Sequence, residues 1–426
     1  MTLGMNRPHQ AVRMSGERGK RLRRGLPSLP RGHCNGRNRT GQAGCGPGGS
    51  VRLRGARHSR EQGSWFTGER RGVNPPSLAS HPGRPAEGRS FIHEHGSTKL
   101  SELNGSSILI TGGTGSFGRT FLQHILTEAD PARVVVFSRD ELKQYELRQQ
   151  LGDDPRLRWF IGDIRDRHRL TRAMHGVDHV VHAAALKQVD TAEYNPSEYI
   201  ATNITGSQHV VDAAIEAGVR KVIALSTDKA SSPINLYGAT KLVGDKLFVS
   251  ANHYAAQHPT RFAVVRYGNV VGSRGSVVPL FRRLAAEGKS LPITDKRMTR
   301  FWITLDQAVQ FVMDSFDQMQ GGELFVPRIP SMRILDLVEA VAPDATTHEV
   351  GIRPGEKLHE EMIAPDDSRR TLRADGRFIV QPTIATWGYQ PPVDCDPVPD
   401  GFAYQSDTND EWLTVEQLRD MLGITA

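Results

Sequence analysis

The sequence has little of what stabilises small secreted proteins or anchors a protein in a membrane. Its 426 residues include 3 cysteines, Cys34, Cys45 and Cys395, which are too few for a disulfide framework and favour a reducing compartment. No apolar run approaches the roughly 18–20 residues that cross a bilayer. No apolar segment follows the basic N-terminus either, which argues against a secretory signal. We therefore expect a cytoplasmic protein with no membrane partner.

The spacings that are typical of metal sites are also missing. Six of the 16 histidines lie in the first hundred residues. The remainder of the chain has neither an H-E-x-x-H motif nor paired cysteines. We predict no metal site, and we expect His359, Glu360 and Glu361 to lie on the surface of a helix.

Positive charge is concentrated at one end of the chain. Residues 1–100 hold 19 of the 54 Lys and Arg residues but 5 of the 47 Asp and Glu residues, so they carry +14 and residues 101–426 carry −7. This segment is rich in Arg and Gly and shows no helical or strand periodicity, so it cannot bury enough apolar surface to become ordered. A nucleic-acid-binding arm is one interpretation. We favour a disordered extension with the composition of translated GC-rich DNA upstream of the true start, and expect no nucleic-acid partner.

From residue 101 onward, short β-branched runs alternate with longer amphipathic stretches. The alternation of buried strands with helices predicts a parallel sheet covered on both faces. We predict an α/β, doubly wound Rossmann domain over 101–270. Residues 271–426 are predicted to form mainly a substrate-binding lobe, with some segments returning to the first domain. The predicted strands are 108–111, 134–137, 159–162, 179–182, 221–226 and 262–266.

A glycine-rich turn follows the first predicted strand. The spacing G-x-x-G-x-x-G between a strand and a helix lets the backbone approach a pyrophosphate at the helix N-terminus. Ligands of such folds bind at the carboxyl ends of the strands. The motif therefore predicts a dinucleotide site. Its predicted contacts are Gly112, Thr114, Gly115, Ser116, Phe117 and Gly118.

The end of the second strand bears on the choice between NAD and NADP. Asp140 is suited to the ribose hydroxyls of NAD, whereas Arg139 and Lys143 would give the 2′-phosphate of NADP a cationic pocket, with Ser138 as a further donor. We predict NADP as the cofactor. Asp163, after the third strand, is placed to meet the adenine edge, and a plain helix N-cap is the alternative.

A tyrosine and a lysine follow the fifth strand. Tyr237 and Lys241 are spaced i, i+4 and share one helix face. A nearby ammonium and a positive nicotinamide both favour phenolate, so we expect the pKa of Tyr237 to be lowered towards the working pH. Such a tyrosine can accept the proton of a sugar hydroxyl while hydride leaves the same carbon.

These motifs and several neighbouring segments carry a resemblance to a known family. Over residues 103–426 the chain resembles the inverting UDP-N-acetylglucosamine 4,6-dehydratases that open bacterial pseudaminic acid biosynthesis, within the extended short-chain dehydrogenase/reductase superfamily. Tyr237 supports this subgroup, because retaining and capsular relatives typically carry Met there. The segments that carry the resemblance are 112–118, 137–144, 182–187, 226–230, 233–241, 266–276, 298–302 and 353–361.

The resemblance implies a reaction in three steps: C4 oxidation by NADP, elimination of water across C5–C6, and hydride return to C6 with inversion at C5. It assigns Asp228 as the acid and Lys229 as the base, where the glucose-nucleotide branch has an Asp–Glu pair. A lysine base needs its pKa brought down from roughly 10.4. We expect burial, Lys241 and the nicotinamide to lower the pKa of Lys229. The negative charge of Asp228 is expected to raise it.

The resemblance also implies further ligand contacts and a homo-oligomer. In this interpretation Arg353 meets the diphosphate of UDP-N-acetylglucosamine and Glu356 binds the uridine ribose hydroxyls. Three alternatives stay open: a retaining 4,6-dehydratase, a UDP-sugar 4-epimerase that needs no acid–base pair, and a non-catalytic dinucleotide sensor. The further cofactor contacts are Ile164, Ala183, Lys187, Val270, Val271, Gly272, Ser273 and Arg274. The expected substrate contacts are Lys187, Asn269, Val277, Thr294, Arg353 and Glu356.

Overall fold

The apolar runs of the sequence form the strands of a central sheet. The computed structural model describes residues 102–272 and 277–424, so the expectations for residues 1–100 lie outside the described residues. Each of the six predicted strands is present, with ends within two residues of the expected ones. The described strands are β1 (Ser107–Thr111), β2 (Arg133–Ser138), β3 (Leu157–Ile161), β4 (His179–His182), β5 (Lys221–Leu225), β6 (Arg261–Val265), β7 (Asn269–Val270), β8 (Leu291–Ile293), β9 (Thr299–Ile303), β10 (Leu324–Pro327), β11 (Ser331–Arg333), β12 (Thr347–Glu349), β13 (Glu361–Ile363), β14 (Thr371–Ala374), β15 (Arg377–Val380), β16 (Asp396–Pro397) and β17 (Tyr404–Gln405).

Amphipathic helices connect these strands. A π-helix (Ile200–Thr205) and two 3₁₀ segments (Asp228–Ala230 and Pro365–Arg370) complete the described elements. No helix in the described ranges is long and apolar enough to span a membrane. The helices are α1 (Ser116–Glu128), α2 (Glu141–Leu151), α3 (Arg167–Met174), α4 (Val189–Tyr194), α5 (Pro196–Tyr199), α6 (Gly206–Ala217), α7 (Leu236–Tyr254), α8 (Val277–Ala286), α9 (Leu305–Gln318), α10 (Ile334–Val341) and α11 (Val415–Met421).

The ten-stranded sheet has a parallel part of seven strands in the order β3-β2-β1-β4-β5-β6-β10. β15, β14 and β16 extend it beyond β10 with antiparallel pairing. The predicted doubly wound α/β fold is therefore confirmed. Strands from the second half of the chain join this sheet, and the predicted division near residue 270 stays a prediction.

Helices cover both faces of the sheet. Alternate strand residues point to opposite faces, and both sets are apolar and buried against helices. Leu109 of β1 belongs to a buried cluster with Val210 of α6 and Phe248 of α7. Its neighbour Ile108 belongs to another cluster, with Phe121 of α1. Burying each such side chain contributes about 1.5–3 kcal/mol. This two-sided burial fixes the strand register, and with it the row of strand ends where the loops emerge.

A further apolar cluster lies outside the large sheet. Phe281 of α8, Trp302 of β9 and Leu337 of α10 pack together with Leu418 of α11. This cluster supports the segments that face the strand ends of the large sheet.

Candidate active site

A cleft of about 1370 Å³ opens at the carboxyl ends of β1, β4 and β5. One wall is formed by the glycine-rich turn after β1, the segment after β4 and the turn after β5. The other wall comes from residues after β6 and from the second half of the chain. The predicted site residues that line the cleft are Gly112, Gly115, Ser116, Phe117, Gly118, Ala183, Lys187, Asp228, Lys229, Tyr237, Lys241, Asn269, Val270, Val277, Thr294, Arg353 and Glu356.

The glycine-rich turn leaves the start of α1 open towards the cleft. Gly115 is the N-cap residue and has no side chain that could cap the first-turn N–H groups. Its own N–H donates to the carbonyl of Gly112 at 2.9 Å. Gly112 has φ +69°, and a Cβ there would lie 2.9 Å from the backbone nitrogen of Ala184. The turn therefore forms a cradle of backbone donors, which fits an anionic pyrophosphate at a helix N-terminus.

At the end of β2, the polar side chains are largely paired with one another. Asp140 caps α2 by accepting from the Lys143 backbone nitrogen at 3.0 Å, and its other oxygen accepts from Lys143 Nζ at 2.6 Å. Hydrogen bonds from Lys143 lower the pKa of Asp140. Ser138 Oγ accepts from Gln144 Nε2 at 2.9 Å, and both residues are buried. Arg139 is 54% exposed, and its Nη1 lies 3.7 Å from Asp163.

Asp163 does not cap α3, so the alternative role as an N-cap is wrong. The N-cap is Asp166, which accepts from the Arg169 backbone nitrogen. Asp163 instead accepts from the backbone and the side chain of Arg165 at 2.8–3.0 Å. Ile164 is buried, and a Cβ added to Gly206 would lie 2.7 Å from its Cδ1.

Helix α7 carries Tyr237 and Lys241 on the face that lines the cleft. Its first turn can approach the segment after β5 because position 238 is glycine: a Cβ there would lie 2.1 Å from the Lys229 carbonyl oxygen. Lys241 Nζ donates to the carbonyl of Leu225, the last residue of β5, at 2.7 Å. The Tyr–Lys pair therefore stands next to the turn that carries Lys229.

Asp228 and Lys229 form an ion pair on the 3₁₀ turn after β5. Asp228 Oδ1 accepts from Thr227 Oγ1 at 2.8 Å, from the Lys229 backbone nitrogen at 2.9 Å and from Lys229 Nζ at 3.1 Å. The Asp228 side chain is 1% exposed, and its Oδ2 has no hydrogen-bond partner among the described residues. The carboxylate is thus fixed through one oxygen, while the other remains available for a donor.

A second carboxylate, from a segment distant in sequence, contacts Lys229. Glu360 Oε1 lies 3.1 Å from Lys229 Nζ and 3.6 Å from Arg300 Nε. The expectation that residues 359–361 lie on a helix surface is wrong, because Glu360 and Glu361 are buried and Glu361 begins β13. The apolar Met362 and Ile363 that follow draw this segment into the core.

Burial and nearby charges act on the pKa of Lys229 in opposite directions. Burial of the ammonium acts to lower the pKa, but the carboxylates of Asp228 and Glu360 outweigh it, so the pKa of Lys229 is raised. The expected lowering by burial and the expected raising by Asp228 are both present, and Glu360 adds to the raising. Lys229 and Asp228 form an ammonium–carboxylate pair rather than an amine beside an acid.

Opposing influences also act on the pKa of Tyr237. Burial raises the pKa of its phenol to about 12, while the Lys229 ammonium and a hydrogen bond with Thr227 act in the lowering direction. The described residues alone therefore raise this pKa, and the expected decrease, which includes the charge of the nicotinamide, stays a prediction. The pKa of Lys241 is itself lowered by burial.

The remaining predicted residues are spread over the loops around the cleft. Asn269 Nδ2 donates to the Phe301 carbonyl at 3.5 Å. Glu356 Oε1 accepts from Arg300 Nη2 at 3.2 Å. Thr114 is buried in the glycine-rich turn. Val271 packs against the cluster around Trp302, and Gly272 follows it with φ +66°. Ser273 and Arg274 lie outside the described residues.

The structure brings three further residues to the site, of which sequence reasoning considered Arg300 only as part of the basic run 296–300, either as an attractor of the anionic substrate or as an exposed loop. Thr227 contacts Asp228, and Arg300 and Glu360 connect the second half of the chain to Lys229. Thr227 directly precedes the predicted Asp228–Lys229 pair, so its place in the sequence could have indicated that it belongs to the site. Arg300 lies in the resembling segment 298–302, but its carboxylate partners are distant in sequence.

Comparison with known proteins agrees with this architecture. A family model described as "Polysaccharide biosynthesis protein" matches residues 108–382. The chain belongs to this family. The resemblance of the chain to the inverting dehydratases is confirmed as well. A protein named UDP-N-acetylglucosamine 4,6-dehydratase (inverting) from Campylobacter jejuni (strain 81-176) is 52% identical over 331 residues, which cover 76% of the chain and 99% of the relative.

Solved structures also resemble this family member. The X-ray structure of Pen from Bacillus thuringiensis is 37% identical with a TM-score of 0.69, and the match covers 75% of the chain and 97% of Pen. DesIV, a dTDP-glucose 4,6-dehydratase from Streptomyces venezuelae with NAD bound, is 27% identical with a TM-score of 0.53. That match covers 59% of the chain and 86% of DesIV.

Proposed function

We propose that the protein is a UDP-N-acetylglucosamine 4,6-dehydratase that inverts C5. Its product would be UDP-2-acetamido-2,6-dideoxy-β-L-arabino-hex-4-ulose, the first intermediate of pseudaminic acid biosynthesis. The observation that carries the proposal is the Asp228–Lys229 pair beside Tyr237 in one cleft. A 4-epimerase has no need for such a pair, because it removes no proton from C5. The name of the Campylobacter relative supports the same assignment.

A nicotinamide dinucleotide fits the cleft and would supply the hydride chemistry, accepting hydride from C4 and returning it to C6. The open first turn of α1 and the close approach at Gly112 support pyrophosphate binding there. The NAD bound by DesIV supports the same class of cofactor. Lys241, anchored on the end of β5, is assigned to hold this ligand beside Tyr237.

Tyr237 is assigned to accept the proton of the C4 hydroxyl. Its phenol is buried, which raises its pKa to about 12, so the site needs added positive charge before the phenolate forms at neutral pH. The Lys229 ammonium provides part of that charge. A cationic ligand beside Tyr237 would lower the pKa further. Deprotonation of Tyr237 and occupation of the cofactor site are therefore coupled.

The ion pair at Asp228 and Lys229 suits the elimination step because one proton moves between the two groups. Transfer of a proton from Lys229 Nζ to Asp228 gives a neutral amine and a carboxylic acid. The amine then takes the C5 proton as the C5–C6 double bond forms. The C6–O bond breaks, and the proton of Asp228 leaves with the hydroxyl as water. The step returns Lys229 to ammonium and Asp228 to carboxylate, which is the pair described above.

The substrate is proposed to lie along the wall formed by the second half of the chain. Arg353 would meet the diphosphate, and Glu356 would accept from ribose hydroxyls. Glu356 uses one oxygen for Arg300, and its Oε2 has no partner among the described residues, so acceptor capacity remains. Lys187 lines the same cleft, and burial lowers the pKa of its ammonium. Asn269, Val277 and Thr294 complete the proposed contacts.

NADP is proposed as the specific cofactor. The Asp140 carboxylate is occupied by the α2 cap and by Lys143, which leaves it poorly placed to bind ribose hydroxyls. The half-exposed guanidinium of Arg139 supports a 2′-phosphate contact instead. Arg139→Ala should weaken NADP binding about 10-fold or more and leave NAD binding nearly unchanged, because a phosphate contact of this kind contributes roughly 1.5–3 kcal/mol. Equal losses of affinity for NADP and NAD, or no loss of affinity for NADP, would contradict this choice. The control is Arg148→Ala, in the α2 helix that follows Arg139.

Product analysis tests the reaction itself. The purified protein is incubated with UDP-N-acetylglucosamine and catalytic NADP, and the nucleotide sugars are followed by mass spectrometry. Loss of one water with the UDP moiety intact is expected, while an unchanged mass would exclude dehydration. The homo-oligomer, the cytoplasmic location and the domain boundary near residue 270 stay predictions.

A further inference from the structure

Lys229 is held between two carboxylates that come from distant parts of the chain. Asp228, its neighbour, and Glu360, directly before β13, each place one oxygen 3.1 Å from Lys229 Nζ. The proposed reaction uses Asp228 and Lys229 and assigns nothing to Glu360. We propose that Glu360 is a positioning residue for Lys229, whose carboxylate fixes the ammonium in the cleft together with that of Asp228. This inference rests on the proposed function.

The backbone of Glu360 is held firmly enough for this task. Its N–H donates to Ser406 Oγ at 2.9 Å, and its carbonyl accepts from the Ser406 backbone nitrogen at 2.8 Å. Ser406 is fully buried, and its hydroxyl lies 2.7 Å from Thr299 Oγ1. Two hydrogen bonds to one buried residue therefore fix the position from which the Glu360 side chain reaches Lys229.

The charges near Glu360 show that its carboxylate acts chiefly on Lys229. Arg300 is the other cation in reach, but its Nε is 3.6 Å away, and its Nη1 and Nη2 donate to backbone carbonyls and to Glu356. Among the described residues, the charged or titratable groups that act on Lys229 are Asp228 from the same turn, Tyr237 from α7, and Glu360 and Arg300 from the second half of the chain. Asp228 and Glu360 raise the pKa of Lys229, whereas Arg300 lowers it.

The contact between Glu360 and Lys229 predicts how kcat depends on pH. The proposed elimination needs one proton shared by Asp228 and Lys229, so activity ends at high pH when that proton is lost. Glu360 favours the protonated form of the pair, because its negative charge stabilises the ammonium. Removing the charge should therefore move the basic limb of the kcat–pH profile to lower pH.

The experiment compares Glu360→Gln with Glu361→Gln. Glu361 is also buried, but it accepts from Ser231, Ser232 and Gln405 instead of from Lys229. We expect the basic limb of Glu360→Gln to move down by about 1–3 pH units. The limb of Glu361→Gln should stay at the wild-type position. A merely structural role for Glu360 would lower kcat without moving the limb.

The outcomes separate this inference from the proposed function. If the wild-type protein forms no dehydrated product, the proposed function fails first. If the wild-type protein turns over and the limb of Glu360→Gln coincides with the wild-type limb, only the role of Glu360 is overturned. Thermal unfolding checks that each variant folds. Should Glu360→Gln not fold, Glu360→Asp retains the charge farther from Nζ, so the limb should move in the same direction by less, and an unmoved limb overturns the inference.

Discussion

Asp245 and Arg266 form an ion pair that is almost closed to solvent, with 2.9 Å between Oδ2 and Nη2. The same oxygen of Asp245 accepts from Ser226 Oγ at 2.8 Å. Arg266 also donates through Nη1 to the Met362 carbonyl at 2.8 Å. The pair thus ties α7, which carries Tyr237, to the ends of β5 and β6 and to β13. Asp228 follows β5 on the 3₁₀ turn, and Glu360 directly precedes β13.

Removing one member of this pair should destabilise the fold strongly. Asp245→Asn leaves the Arg266 guanidinium buried without a counter-charge, which costs about 3–5 kcal/mol of unfolding free energy. Urea denaturation measures the loss. Asp153→Asn is the control, because the Arg148–Asp153 pair is exposed and its loss should cost at most about 1 kcal/mol. Similar losses of unfolding free energy for the two variants would show that the buried Asp245–Arg266 pair stabilises the fold no more than an exposed pair does.

The cradle at Gly112 can be tested against a glycine with the same backbone conformation. Gly112 and Gly105 have φ of +69° and +68°, but only a Cβ at Gly112 would meet other atoms within 4 Å. Gly105→Ala should lose about 1 kcal/mol of stability from backbone strain, and Gly112→Ala should lose more, because its Cβ would also lie 2.9 Å from the Ala184 backbone nitrogen. Only Gly112→Ala should bind NADP more weakly, by 10-fold or more in a fluorescence titration. Unchanged NADP affinity in Gly112→Ala would rule out pyrophosphate binding at this turn.

Two variants should separate the hydride step from the elimination step. Lys229→Ala removes the base at C5, so product formation should fall by about 10²–10⁴-fold while reduced cofactor still appears in single-turnover absorbance. Tyr237→Phe removes the acceptor of the C4 hydroxyl proton, so both signals should be lost. Tyr254→Phe, on the exposed end of the same helix, is the control. Reduced cofactor at the wild-type rate in Tyr237→Phe would contradict the role of the phenol.

Stability should fall with acid because of His182. Burial, with a smaller contribution from the Lys241 charge, lowers the pKa of His182 to about 3. The unfolded chain has a pKa near 6.5, so the folded state is fully favoured above that pH and loses about 1.4 kcal/mol per pH unit as the pH falls from there towards 3.

The variant His182→Gln should have a shallower dependence of unfolding free energy on pH between 7.5 and 5. Part of the pH dependence of the unfolding free energy should remain because of His179, since burial lowers the pKa of that ring to about 4. The exposed His168→Gln should keep the wild-type slope. A wild-type slope in His182→Gln would mean that the ring is not buried as described.

The parts of the site that the sequence revealed are those whose residues lie close together in the chain. The glycine-rich turn and the i, i+4 spacing of Tyr237 and Lys241 each express a local geometry, whereas the Asp228–Lys229 pair was assigned through the family resemblance. The burial of apolar runs likewise allowed the strands to be placed within two residues. Local patterns are sufficient here because each depends on a single element.

Glu360 escaped prediction because its partner comes from a remote turn of the chain. Two acidic residues before Met362 and Ile363 resemble the polar start of a buried strand, but nothing in that pattern identifies Lys229 as the group they meet. The raised pKa of Lys229 depends in part on the same distant carboxylate, and the raised pKa of Tyr237 depends on burial of its phenol. The pairing of Asp140 with Lys143 is local and agrees with an N-cap pattern.

The most direct test of the account is the configuration at C5 of the product formed in D2O. The protein is incubated with UDP-N-acetylglucosamine and NADP, and the product is analysed by NMR. The account predicts a 4-keto-6-deoxy sugar that carries deuterium at C5 and has the L-arabino configuration. A product that keeps the original C5 configuration, a simple C4 epimer, or unchanged substrate would contradict it.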